Sequence, residues 1–396
     1  MQEKADLVRG DVRAPLVDAV RRIADEISGP AADGVDREAR FPAETLAALR
    51  AAGMLSACVP EELGGLGASV RELAAMCLAL AQRCSSSGMV FAMHHIQLAC
   101  IVRHGWSSAF FREHLREVAR QQILIASVTS EVGVGGDMRR SLAGIEGTGA
   151  VRRLDKNAPT TSYGAEADEL LVTCRRSADA PPSDQALVLL RQRDYRLEQT
   201  GTWDTLGMRG TCSPGFKLTS SFPEAQILPA PFADIAAQTM VPISHVLWGS
   251  VWLGIATEAV ARARAFVRAE ARKTPGTVPP GALRVAELSA ELQTLRSHVQ
   301  DLAREYEALL GDPAGVETLS SVGFALKINN LKIAASQAVL QITNHALNVI
   351  GVAGYKNDSK FSVGRLIRDA HSAALMIAND RIYATNAALL LVHKEA

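Results

Sequence analysis

The residues best equipped for chemistry are a few histidines in apolar surroundings and one glycine-rich turn. His94-His95, His245 and His371 lie in or beside apolar runs. An imidazole there can act as a general base, donate a hydrogen bond to a substrate carbonyl, or simply pack in a core. The turn "SEVGVGGD", Ser130 to Asp137, leaves the β-like run "ILIASV" and contains Gly135 and Gly136. Such a turn exposes successive backbone N–H groups that can meet a planar ring edge or a pyrophosphate. The six cysteines form no CxxC pair and no Cys/His cluster with zinc spacing, so metal chemistry is not expected and the thiols read as buried and free.

These groups must be positioned by three kinds of texture. Residues 1–120 read as an N-terminal helical domain, with one helix expected to stop at Gly29-Pro30. Residues 121–235 hold short β-like runs separated by Gly, Pro, Asp and Ser, and read as a compact β domain. Residues 236–396 return to the helical period in four long stretches, which suggests an antiparallel four-helix bundle.

Lysine plus arginine and aspartate plus glutamate both number 42, so the net charge is zero. That balance argues against nucleic acid and anionic membranes as partners. The charged N-terminal stretch lacks the apolar core of a secretory signal, and a cytoplasmic location is expected.

Several motifs sharpen this outline. "PEELGGLGAS", "SEVGVGGD", "LGMRGTCS", "EARKTPG" and "VIGVAGYKNDSKFSVGRLIRDA" occur in order from about residue 60 to 370. Together they resemble landmarks of the acyl-CoA dehydrogenase family. The resemblance implies a helical domain, a β-barrel and a four-helix bundle, FAD as cofactor, and a homo-oligomer, either tetramer or dimer. It places Thr129, Ser130, Gly135, Gly136 and Thr160 at the flavin ring. Gly136 stands for a family serine, and Ala158 for the tryptophan that lies against the ring, which would open space there. Arg272 matches the arginine that reaches a neighbouring subunit's FAD pyrophosphate, a task suited to a forked guanidinium. Gly351 to Gly354 match the loop that meets FAD across the dimer, and Asn379 and Arg381 match flavin contacts after the catalytic glutamate.

That glutamate is missing. The tenth residue counted from Arg368 is Ile377, and the family's alternative position, ten residues before Gly254, is Ser244. No carboxylate lies between Asp369 and Asp380 or between Asp234 and Glu258. Removal of an α-proton from a thioester needs a positioned base. Flavin oxygenation within the same fold needs instead a dry cavity, O2 and electrons from a reductase. The expected activity is therefore an FAD-dependent oxygenase acting on a small acyl or aryl molecule, with a CoA thioester as the default substrate. The alternative is a dehydrogenase with a relocated base such as His245. His371, just after "RDA", is either an active-site residue or a structural one. His94 and His95 either border the substrate cavity or pack in the core. A non-catalytic flavoprotein that binds a partner is the third reading.

Overall fold

The computed structural model describes residues 7–8, 11–134, 137–273 and 275–393. Helix α1 (Ala14–Ile23) runs through a π-helical turn, Ala24–Ser28, into α2 (Gly29–Glu38). The expected stop at Gly29-Pro30 is therefore not one. The wider turn restarts the helix with Pro30 in its first turn, where no backbone N–H is required. Helices α3 (Ala43–Ala51), α4 (Val70–Arg83), α5 (Ser85–His104) and α6 (Ala109–Gln121) complete this part. Ser69 and Glu72 cap α4 reciprocally. The fully buried Glu72 carboxylate also accepts from Arg13, through its backbone N at 2.7 Å and its Nε at 2.8 Å.

The central strands are β1 (Ile125–Val128), β2 (Val151–Ala158), β3 (Glu169–Arg175), β4 (Gln185–Arg191), β5 (Tyr195–Gln199) and β6 (Phe216–Pro223). They form two three-stranded sheets, ordered β1-β3-β4 and β2-β6-β5. The sheets differ in kind. β3 and β4 are buried along nearly their whole length, whereas β2 alternates exposed and buried residues. Strand β1 runs parallel to β3, and the other neighbouring pairs are antiparallel. Isolated bridges through Gly144 and Glu146 to Arg175 and Arg153 join the sheets, together with side-chain bonds from β2 to β1 and β3.

Helical structure resumes with α7 (Phe232–Ile235), which passes through a second π-helical turn into α8 (Val241–Ala271). It continues through α9 (Gly281–Gly311), α10 (Gly315–Leu319), α11 (Val322–Ile350), α12 (Val352–Tyr355), α13 (Gly364–Leu375) and α14 (Asn379–Leu390). The segment Phe232–Ala271 is long and apolar enough to cross a membrane, yet 94% of its most apolar window is buried inside the protein. It is the central helix of the bundle, packed against α4, α5, α9 and α11. The apolar core is continuous from Leu7 through the sheets to Ala373.

The fourth long helix expected from the sequence is broken at residues 376–378. Ile377 has φ +47°, the left-handed region. That conformation costs an L-residue about 1–2 kcal/mol, and a β-branched side chain is unusual there. The break falls at the position counted for the missing base.

Candidate active site

Two of the motifs meet in space. The Met208 N–H donates to Asp369 Oδ1 at 2.7 Å, so "LGMRG" is pinned to the start of "RDA". Asp369 is buried and thus holds a loop, in addition to lying 4.0 Å from the Arg365 guanidinium. Arg368 pairs with Asp36 of α2 and donates to Leu206 O at 3.1 Å, while Arg209 Nε donates to Asp36 O at 2.8 Å. A β-carbon on Gly207 would stand 2.1 Å from Arg368 O, so only glycine allows this approach. The contact continues into the β region. Thr211 and Ser213 hydroxyls lie 2.9 Å apart, and Ser213 Oγ donates to Ser162 Oγ at 2.8 Å.

Next to Ser162 stands the expected ring site. Ser130 Oγ donates to Thr160 O at 2.5 Å, so the ends of β1 and β2 are joined where the resemblance puts the flavin. Thr160 is exposed and its hydroxyl has no partner among the described residues. Thr129 Oγ1 is 2.8 Å from Ser127 Oγ. These polar groups, at an accessible pair of strand ends, fit the edge of a planar ring. Gly135 and Gly136 lie outside the described residues. Ala158 is 2% exposed, in the core at the end of β2, whereas Thr160 two residues on is exposed.

A residue that was not singled out supports this platform. Lys156 Nζ, buried in β2, donates to Thr173 O at 2.6 Å and to Val128 O at 3.1 Å, with Glu131 Oε2 at 3.8 Å. Glu131 in turn accepts from Ser141 Oγ at 2.7 Å and from the Ala143 N–H at 2.6 Å. Burial pushes the Lys156 amine down to about 8. The period-two pattern of β2 places Lys156 inward with Leu154 and Ala158, which is the signal that could have marked it.

The residues expected to meet FAD across a dimer gather at one end of the bundle. Arg272 is exposed at the end of α8, without an ion pair among the described residues. Gly281, at the start of α9, abuts Val267 of α8 and Val349 of α11. Phe266 stacks edge-on against Phe361, and the Gly354 N–H donates to Gly351 O at 2.9 Å. Gly351 has φ +66° and ψ −142°, a region essentially confined to glycine. A β-carbon there would meet nothing within 4 Å. Gly351→Ala is thus expected to destabilise by strain alone, about 1–3 kcal/mol. A urea unfolding midpoint equal to wild type would refute that.

At the base position the structure offers a cation in place of a carboxylate. Fully buried Lys332 of α11 donates from Nζ to Ile377 O at 2.9 Å and to Asn379 Oδ1 at 2.7 Å. It also lies 5.9 Å from the centre of the Trp252 ring. Asn379 is thereby engaged inward, and its Nδ2 donates to Ser336 Oγ at 3.1 Å. Ser244 Oγ turns back to Met240 O of its own helix. His245 is buried, with Nδ1 at 3.0 Å from Ile328 O. Burial, with a smaller contribution from nearby Lys332, pushes its imidazole down to about 4, so it stays neutral. His371 and Arg381 are exposed on α13 and α14 and do not join this cluster.

His94 and His95 are core residues. His94 Nε2 donates to Leu55 O at 2.6 Å, and Nδ1 accepts from the Ile125 N–H at 3.0 Å. Both ring nitrogens are used, Nε2 in joining α5 to the turn after α3 and Nδ1 in joining it to β1, which leaves none for a substrate. His95 Nδ1 donates to its own helix at Phe91 O, 2.9 Å away.

The fold and these joined motifs define a class. The acyl-CoA dehydrogenase N-terminal domain matches residues 13–122, and the C-terminal domain of the same family matches residues 236–377. The chain belongs to the acyl-CoA dehydrogenase family. Among its relatives, amino sugar nitrososynthase DnmZ of Streptomyces peucetius is 25% identical over 91% of this chain and 88% of its own. Dibenzothiophene monooxygenase of Rhodococcus qingshengii is 28% identical over 77% of each chain. FMN-bound TdsC from Paenibacillus sp. A11-2 superposes with a TM-score of 0.82 at 20% identity, covering 96% of this chain and 98% of that one.

Proposed function

We propose that the protein is a flavin-dependent monooxygenase that oxygenates a small, largely apolar molecule, an aryl compound in preference to an acyl thioester. The observation that carries this reading is the chemistry at the base position. Ile377 presents an apolar side chain there, its carbonyl is held by the Lys332 ammonium, and Ser244 is turned into its own helix. The one imidazole offered as a substitute base, His245, is buried and weakly basic. Relatives named as monooxygenases of dibenzothiophene, and one named as FMNH2-dependent, favour the same class.

When bound, the flavin supplies electrons and activates O2. The chain's own residues do the rest. Ser130 and Thr160 hold the ring edge, with Lys156 bracing the strand beneath. Arg272 and Gly351 to Gly354 meet the phosphates and adenosine of FAD from a second copy, so the site is completed in a homodimer or a tetramer. Apolar Ile377 and buried α8 limit water where the substrate sits, which protects a reactive intermediate. Electrons come from a separate reductase, in a cytoplasm that keeps the six free thiols reduced.

The test uses the flavin-loaded protein in two assays. With a flavin reductase, NADH, O2 and an indole or dibenzothiophene panel, an oxygenated product is expected, carrying label from 18O2. Anaerobic bleaching of the flavin by an acyl-CoA, with enoyl-CoA formed, would replace this reading with the dehydrogenase one.

A further inference from the structure

The break between α13 and α14 has no glycine or proline to explain it, and its central residue is a left-handed isoleucine. A strained residue persists where its surroundings over-determine it. Here the over-determining group is Lys332. Its Nζ binds one acceptor on the strained residue itself, Ile377 O, and one on the first residue of α14, Asn379 Oδ1. Ser336, one turn further along α11, receives the Asn379 amide. The remaining face of the ammonium is turned toward the Trp252 ring of α8. Of titratable groups, neutral His245 faces it from α8. The break presents only a carbonyl and a carboxamide. Among the described residues no carboxylate shares the site, so the ammonium's charge is used on two neutral oxygens, and both belong to the break.

We propose that Lys332 is a positioning residue, a charged clamp that holds the 376–378 break in the shape that receives the flavin ring, so that flavin affinity depends on the charge of this one side chain. The inference rests on the flavoprotein reading above and on the place beside this break that the resemblance gives the flavin through Asn379.

The sign of the pH dependence separates the clamp from a purely structural role. Burial pushes the amine down to about 8, from 10.5. Between those two values the unfolded chain binds more protons than the folded one, so Lys332 makes the fold more stable as pH rises through this window. The clamp goes the other way, because hydrogen bonds from a neutral amine are about half as strong as those from an ammonium. Stability and flavin affinity are therefore expected to move in opposite directions.

The experiment titrates the apoprotein with FAD and with FMN by fluorescence, from pH 7 to about 9.5, alongside urea unfolding at each pH. Wild type, Lys332→Arg and Lys332→Met are compared. For wild type the flavin Kd is expected to rise about tenfold across the range while the urea midpoint rises. Lys332→Arg, which keeps its charge throughout, is expected to bind flavin with a clearly flatter pH profile than wild type, any remaining slope coming from Lys156 beneath the ring site. Lys332→Met is expected to bind about tenfold or more weakly at every pH while remaining at least as resistant to urea, because an apolar residue replaces a buried charge. A flat wild-type profile, or Lys332→Met binding as tightly as wild type, overturns the clamp and leaves the oxygenase reading standing. A wild type that binds neither flavin overturns both.

Discussion

Acidification from pH 6.5 to 4 is expected to unfold the protein cooperatively, the loss of stability beginning well above the pH at which carboxylates protonate. Three histidines, His94, His104 and His245, are held by burial at about 4, and His95 is held well below its usual value. An unfolded chain takes up these protons near 6.5, so each group contributes stability that is present above 6.5 and is lost as pH falls toward the folded value. A depression from 6.5 to 4 corresponds to about 3 kcal/mol per imidazole. Three such groups together fall within the whole stability of an ordinary fold, about 5–15 kcal/mol, and His95 acts in the same direction. His94 is the strongest case, because its protonation must break the bond from Ile125 N–H that ties β1 to α5. Urea midpoints measured every half unit should fall steeply through this window. The slope should lessen in His94→Gln and His245→Gln. A midpoint that stays level down to pH 4.5 would refute the assignment of these rings as neutral core residues.

Gly207→Ala is the second large effect. The new methyl would meet the Arg368 carbonyl carbon at 2.3 Å and the Asp369 nitrogen at 2.6 Å. These are backbone atoms of a helix and cannot rotate aside. The 206–209 loop must therefore lift from α13, and the Met208–Asp369 hydrogen bond lengthens or breaks. Asp369 is buried beside buried Arg365, so its carboxylate cannot turn to water instead. Overpacking together with a lost bond to a charged acceptor is expected to cost about 3–5 kcal/mol. The variant should show a lowered thermal midpoint and new proteolytic cleavage within residues 204–213. A midpoint equal to wild type would mean that the two motifs are not in the contact described.

The order of the architecture was legible because its signals are local: helical period, short β-like runs, then helical period again. The empty base positions were legible because residue identity alone decides whether a side chain can accept a proton, and Ile377 cannot. What escaped notice depends on surroundings. Lys332 and Lys156 look like ordinary surface lysines in a string of letters. Their burial follows from Ile328 and Ala335 beside the one, and from Leu154 and Ala158 flanking the other at spacing two. Strand β2, "VRRLDKNA", was hidden by its charges, since only its inward positions carry the strand signal. The break at Ile377 is set by a tertiary hydrogen bond from another helix, so no local rule predicts it. Pro30 misled in the opposite sense, because a π-helical turn absorbed it.

Five of the six cysteines are fully enclosed, and burial raises each of their thiols well above its usual value; Cys212 alone is half-exposed. Peroxide attacks thiolates, and a thiol kept protonated and enclosed hardly reacts. A catalyst that activates oxygen leaks hydrogen peroxide at its own doorstep. In the oxygenase proposed above, nearly all of the chain's sulfhydryls would stand out of that reagent's reach, and Cys212, next to Ser213, is the most accessible of them although burial raises its thiol too.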